Sequence, residues 1–375
     1  MGRRVIQWGA GSVGTQAMNY VLDRDDLELV GVRCYTDRKV GRDAGELAGR
    51  DPIGVAATTD SAALLALDAD CVLFMPGDGL LDPTVPGSPS RTWVDEVLPI
   101  LRSGKNVVSS LAAGMHWAHL ADGQALRDEL DGACAEGNAT IFFTGIDPGF
   151  ITDCLAITMT TVVGRISQVR TFELIDYGPY PGLAQMAALG FGRRPDDVDS
   201  ATFTTVAPTW ACAVYQLADA TGVELSRTSL DADFYISPDR STAPSGMVVE
   251  AGTIGALRWA LTGFVGDEPR FVINHINRMG EGMAPDWPKM DGYEGGYRIE
   301  IDGFPPYRGD FPLGLPGGTG TALNDAVAMT AARCVNYIEA VVTTSPGYKT
   351  TIDLPTVGAR YGLQLIPAAI EEALA

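Results

Sequence analysis

The apolar residues of this chain follow two different patterns, and the change between them falls near residue 150. Before it, short apolar runs at residues 5–8, 27–32, 70–75, 106–110 and 140–144 alternate with stretches of helical period at 61–67, 92–102 and 120–135. Runs of that length suit strands covered on both faces. Strand and helix in repeated alternation predict a parallel, doubly wound α/β sheet, with ligands bound beyond the carboxyl ends of its strands. Beyond Gly164 the alternation stops. Residues 169–175, 270–276 and 297–301 read as strands, the last alternating apolar and charged positions, and 207–220 reads as a helix. This predicts a second α+β domain on a mixed, largely antiparallel sheet, one face of which meets solvent or another subunit. The Pro- and Gly-rich stretch 303–320 reads as loop. From Thr321, apolar Leu323, Ala326, Val327, Ala331, Cys334, Val335 and Ile338 mark a helix suited to return to the first domain. The expected division is 1–149, 150–320, and a C-terminal helix and tail at 321–375. At the first boundary Asp147 would cap, and Pro148 begin, a helix running to about residue 162.

The turn after the first strand reads Gly9-Ala10-Gly11-Ser12-Val13-Gly14, a G-x-G-x-x-G between a strand and an amphipathic stretch carrying Ala17, Tyr20 and Val21. Gly9 permits a sharp turn, Gly11 lets the backbone approach a pyrophosphate, and Gly14 lets the new helix pack on the strand. The N-terminal N–H groups around Ser12 and Val13 then point at phosphates. The pattern predicts a dinucleotide site and a first domain of Rossmann type. An NAD-preferring site carries an acid at the end of the second strand; here Arg33 stands there, with Thr36, Arg38 and a further cation just beyond. These groups suit a 2'-phosphate, so NADP is the expected cofactor; NAD is the alternative, with Asp37 near enough to serve a ribose. The strand ends at Met75-Pro76, Ser109-Ser110 and Asp147-Pro148 complete the expected cofactor face.

Composition narrows the partners. With 46% hydrophobic and 20% charged residues the chain has an ordinary globular make-up, and its net charge of -20 argues against nucleic acid or an anionic membrane as a partner. No apolar run reaches the length of a membrane span. Six cysteines without C-x-x-C spacing, and no signal peptide, read as a reduced, cytoplasmic protein. Of three histidines, His116 and His119 have no Cys or carboxylate near enough in sequence to complete a metal site, and no metal is expected. His275 lies mid-strand and reads as a core histidine. Met186, Phe191, Trp210, Trp287 and Tyr297 could line a pocket for a fairly apolar small molecule.

Several segments resemble one family. Residues 9–14 and Val40-Gly41-Arg42-Asp43-Ala44-Gly45-Glu46-Leu47 are similar to the N-terminal domain of dihydrodipicolinate reductases. Gly104-Lys105-Asn106-Val107-Val108-Ser109, Thr144-Gly145-Ile146-Asp147-Pro148-Gly149-Phe150 and Ala331-Ala332-Arg333-Cys334-Val335-Asn336 more narrowly resemble 2,4-diaminopentanoate dehydrogenase and the related native amine dehydrogenases. The resemblance implies NAD(P)-dependent interconversion of amines with ketones or aldehydes, by a two-domain subunit whose second sheet packs in a homodimer. Two departures stand out. The paired-histidine motif of the reductases is absent. The glutamate that handles ammonia in the amine dehydrogenases, just after the Asn-Val-Val-Ser strand, is missing too: residues 109–116 read Ser-Ser-Leu-Ala-Ala-Gly-Met-His, with no acid before Asp122.

Proton-handling groups must then be sought elsewhere. His116 follows that strand end, and Glu173, Asp176 and Tyr177 close the first strand of the second domain, where the family's substrate pocket would be roofed. Alternation puts Glu173 and Tyr177 on one face and Asp176 on the other. The expected function is an NAD(P)-dependent oxidoreductase acting at a C=O or C=N carbon of a small to medium substrate. The alternative is a cofactor-binding sensor or scaffold that has lost its chemistry.

Overall fold

The computed structural model describes residues 2–76, 92–112, 115, 123–180, 182–198 and 208–360. The chain divides into two compact units, one formed by the chain up to Gly149 with the segment from Val327, the other by Phe150–Ala326.

The first unit is built on β1 (Arg3–Trp8), β2 (Leu27–Arg33), β3 (Ala57–Thr58), β4 (Cys71–Phe74), β5 (Asn106–Ser109) and β6 (Thr140–Phe143), with a late strand, Gly347–Lys349, added at one edge. All seven run parallel, in the order Gly347–Lys349, β6, β5, β4, β1, β2, β3. The order reverses between β1 and β4, which is where a doubly wound sheet opens a crevice for ligands. Every residue of β4 and β6 is buried, as the unbroken apolar runs predict for strands covered on both faces. The helix Ala322–Asn336 carries its second half into this unit: Ala331, Cys334 and Val335 join Val5, Val32, Leu73 and Phe142 in one core cluster. Buried side chains of the larger kinds there contribute about 1.5–3 kcal/mol each.

The second unit holds β7 (Arg165–Asp176), β8 (Arg227–Ile236), β9 (Ser241–Thr242), β10 (Val248–Val249), β11 (Ile254–Val265), β12 (Glu268–Arg278), β13 (Gly295–Phe304) and β14 (Tyr307–Leu313). Six of them form a mixed sheet in the order β14, β13, β7, β12, β11, β8, in which only β7 and β12 pair in parallel. Several elements differ from the sequence expectation. The stretch 303–320 is not all loop, because β14 lies inside it. Pro312 is tolerated there because β14 is an edge strand, paired on one side only. Strands β8 and β11 have no counterpart in the periodicity: β8 is a largely exposed edge strand, and β11 is buried along most of its length and interrupted by Gly255 and Gly263. The helix expected from Pro148 begins later, as a π-turn at Ile151–Leu155 followed by Ala156–Thr160. The Asp147-Pro148 peptide is cis, and Gly149 has φ +122, outside the helical region. Among the described residues no helix is long and apolar enough to cross a membrane.

Candidate functional site

In the first unit β1 runs straight into the glycine turn, and the three glycines differ in what surrounds them. Gly9 has φ +105, and a Cβ there would lie 2.0 Å from the Met75 carbonyl oxygen. A Cβ on Gly14 would lie 2.0 Å from the Gly9 carbonyl oxygen, whereas one on Gly11 would meet nothing within 4 Å. The protein's own backbone therefore excludes side chains at Gly9 and Gly14, and open space remains at Gly11. Gln7 steadies the turn by donating from Nε2 to the Gly9 carbonyl at 2.8 Å. The helix Ser12–Leu22 begins there with Gly11 as its cap, no capping side chain and no acid in its first turn. Its first amides and its positive dipole end are thus left for an anion. The residues present fit a dinucleotide pyrophosphate.

Arg33 ends β2. Its Nε donates to Ser61 Oγ at 3.1 Å, its guanidinium bonds the Cys34 carbonyl, and it lies 4.8 Å from the centre of the Tyr35 ring. Tyr35 Oη and Trp8 Nε1 both donate to Glu96 Oε2, at 2.7 and 2.8 Å. Thr36 and Arg38 are exposed on and beside the 3-10 turn Asp37–Lys39. Lys39, marked in the sequence only as one more cation, donates from Nζ to the carbonyl of Ala10 inside the glycine turn. Only the fold of that short turn could reveal it.

The other expected cofactor residues are placed variously. Met75 donates its N–H to the Trp8 carbonyl at 2.7 Å and, with Pro76, follows β4. Ser109 is buried, with Oγ donating to the Phe74 carbonyl at 2.6 Å and accepting from Leu111 N–H at 3.1 Å, so it ties strand ends together. Ser110, Asp147 and Pro148 are in described loops. The loop carrying Asp147 is held by Thr330 and Arg333: Ile146 N–H donates to Thr330 Oγ1 at 3.2 Å, and Arg333 reaches Thr144 Oγ1 at 3.2 Å and the Gly149 carbonyl at 3.1 Å. His116 lies outside the described residues.

In the second unit, register decides the grouping. Tyr297 of β13, Glu173 of β7, His275 of β12 and Trp259 of β11 stand directly opposite one another across four adjacent strands. Side chains in register across a sheet share a face, so four distant stretches of sequence meet in one row. Glu173 Oε1 accepts from Tyr177 Oη at 2.5 Å and Asn277 Nδ2 at 2.9 Å, and lies 3.3 Å from His275 Nδ1. Tyr297 Oη donates to Oε2 at 3.4 Å. The Trp259 ring stacks on the His275 imidazole at 4.1 Å, and Trp210, from the helix Pro208–Thr221, meets it edge-on at 4.8 Å. Both Glu173 and His275 are buried. Burial works against the Glu173 carboxylate, but the charge of His275 and the hydrogen bonds from His275, Tyr177 and Asn277 outweigh it and hold the carboxyl below its ordinary range. His275 is thus buried as expected, but as the partner of a charge.

Asp176 is not part of this row. It accepts from Gly178 N–H at 2.7 Å and lines a separate cavity of about 510 Å³ with Arg278, Glu281, Lys289, Tyr293 and Glu294. Burial, with help from the charge of Glu294, raises its carboxyl against the Gly178 hydrogen bond. Arg278 is buried and donates to the carbonyls of Met283, Trp287 and Pro288 at 2.9–3.0 Å, tying down the loop after β12.

Residues 150–364 match the family model of the 2,4-diaminopentanoate dehydrogenase C-terminal domain. The chain is 31% identical to an amine dehydrogenase from Streptomyces virginiae, over 93% of this chain and 95% of that one. It is 26% identical to the 2,4-diaminopentanoate dehydrogenase of Acetoanaerobium sticklandii, over 96% and 95% of the two chains. Its fold is similar to that of an amine dehydrogenase from Mycobacterium smegmatis, with a TM-score of 0.74 at 18% identity, covering 96% of this chain and 98% of that one.

Proposed function

The chain belongs to the 2,4-diaminopentanoate dehydrogenase family and is an oxidoreductase; from that premise we propose that it interconverts a primary amine with the matching ketone or aldehyde, using NADPH in preference to NADH. In the reductive direction one carbonyl compound, one ammonium ion and one NADPH give one amine, one NADP+ and one water. The observation that carries this reading is the glycine turn, closed at Gly9 and Gly14 and open at Gly11, at the uncapped start of a helix.

The nicotinamide, when bound, supplies or takes the hydride. Ser12, Val13 and their neighbours would bind the pyrophosphate through N–H groups, with Met75, Pro76, Ser109, Ser110, Asp147 and Pro148 forming the rest of the cofactor face. Arg33, Thr36 and Arg38, joined by Lys39, would hold a 2'-phosphate. Arg33→Ala should weaken NADPH about 10- to 100-fold, the worth of a charge-assisted phosphate contact, and leave NADH nearly unchanged. Calorimetric titration with each cofactor checks this, and equal losses for both would remove the NADP preference.

Substrate handling falls to the second unit. Buried Glu173 and half-buried Tyr177 form its acid–hydroxyl pair, and Trp210 and Tyr297 supply apolar surface beside it. His116 and Asp176 are further proton carriers in the proposal. The outward sheet face carries a shallow groove containing Phe172, Arg258, Ala260, Asn274 and Ile276, and we assign it to a homodimer contact. Ala260→Arg should convert a dimer to a monomer in sedimentation, and a monomeric parent would refute the assignment. A reducing compartment such as the cytoplasm fits six cysteines that are all free thiols.

The test is NADPH oxidation with a panel of ketones and aldehydes, with and without ammonium. Turnover that needs ammonium supports the proposal, and turnover without it makes the protein a carbonyl reductase. The acid-free segment 109–116 favours one other reading, a sensor, for which the outcome is tight cofactor binding with no turnover on any substrate.

A further inference from the structure

Glu173 and Asp325, both buried, differ in how their two oxygens are served. Asp325 has both oxygens taken by donors from the loop that precedes its helix: Gly314 N–H, and the Thr319 N–H and hydroxyl. In Glu173, Oε1 receives two short hydrogen bonds and lies beside His275, while among the described residues Oε2 receives only the 3.4 Å contact from Tyr297. A carboxylate has about four acceptor sites shared between its oxygens. A buried, charged oxygen with one long bond is costly to leave so, and a strong donor would be rewarded there. Among the described residues no lysine or arginine is paired with Glu173; its hydrogen-bond and ion-pair partners within the second unit are a histidine, two phenols and an amide, with tryptophan rings behind the histidine.

We propose that Glu173 Oε2 accepts an N–H of the reacting nitrogen, ammonium in one direction and the substrate amine in the other. This deepens the function proposed above and rests on it. It selects the substrate class: an N–H cation gains a charge-assisted bond at Oε2, whereas a carbonyl oxygen would meet only repulsion. The site therefore favours an amine and carbonyl-plus-ammonia couple, whose nitrogen can donate in both directions, over an alcohol and carbonyl couple, of which only the alcohol can donate to Oε2. It also gives the chain a nitrogen-holding carboxylate although none occurs in residues 109–116.

The probe is methylammonium chloride, titrated into the full-length protein with NADP+ and followed by the fluorescence of the tryptophans, two of which border His275. A saturable response is expected, absent with tetramethylammonium chloride, which has the charge but no N–H. Glu173→Gln should weaken methylammonium roughly 10- to 100-fold and leave NADPH affinity within about twofold. Glu173→Asp keeps the charge beside His275 but withdraws Oε2 by one methylene, so it guards against misfolding of the first variant and should weaken methylammonium about tenfold. No saturable response in the parent, an equal response to tetramethylammonium, or unchanged affinity in the Asp variant would each overturn the proposal. Ammonium-dependent turnover that persists in Glu173→Gln with an unchanged ammonium KM would overturn it while leaving the proposed function standing. Turnover independent of ammonium in the parent would remove both.

Discussion

With Gly11 replaced by aspartate, the protein should fold with an unchanged or slightly raised Tm and lose affinity for NADPH and NADH by about 100-fold or more. A Cβ at this position meets nothing within 4 Å, so the folded chain has room for it. A carboxylate at a helix N-terminus is itself favourable by about 0.3–1 kcal/mol. The loss appears only when a pyrophosphate must occupy the same ground, because juxtaposed like charges cost several kcal/mol. The neighbouring glycines give the opposite result. Gly9→Ala would put a Cβ 2.0 Å from the Met75 carbonyl oxygen in a residue with φ +105, and Gly14→Ala would put one 2.0 Å from the Gly9 carbonyl oxygen. Each should cost more than about 3 kcal/mol and reduce soluble protein before any binding can be measured. Thermal melts and calorimetric titration of the three variants check the pattern. If Gly11→Asp bound NADPH within tenfold of the parent, the turn would not be the cofactor cradle.

The second large effect is expected at His275. His275→Phe keeps an aromatic ring against Trp259 and removes the charge beside Glu173, which should destabilise the protein by about 3–5 kcal/mol. Its pH dependence is more telling. In the parent the folded Glu173 carboxyl is held below its ordinary range, so the folded state binds that proton less readily than the unfolded chain does. That contribution is complete above the unfolded value of roughly 4.3 and is lost as the pH falls through the folded value. Without His275, burial is the strongest influence left and acts in the other direction. The folded carboxyl then binds its proton more readily than the unfolded one, and stability should fall as the pH rises from 5 toward 7. Urea unfolding of the variant at several pH values in that range measures the slope; a flat or rising stability would mean that the pair does not control Glu173. Adding Glu173→Leu to His275→Phe should recover most of the loss, because an apolar pair leaves no buried charge.

Much of the first unit could be read directly from the chain. Strands β4 and β6 are buried along their whole length and stand out as largely apolar runs, and the helices between the strands show their own period. In the second unit this reading fails at specific places. β8 is a largely exposed edge strand with polar residues on both sides, and β11 is buried along most of its length, so neither shows a clean alternation. β14 contains Gly309 and Pro312, which suit a loop equally well and are tolerated only because one of its edges is unpaired.

The candidate residues divide in the same way. Alternation continued from Glu173 in β7 to Tyr177 just beyond it puts the two on one face, and in the structure their side-chain oxygens are 2.5 Å apart. His275, Asn277 and Tyr297 reach Glu173 from 102 or more residues further on, through the registers of β12 and β13. By itself the sequence determined the alternating first sheet, the glycine turn and the mixed character of the second domain, because each follows from local periodicity or from the conformational freedom of single residues. The tertiary structure decided which strands lie side by side, and therefore that a histidine read as core faces a buried glutamate. A strand shifted by one residue would have turned that side chain to the other face, and no local pattern records which register a distant strand will take.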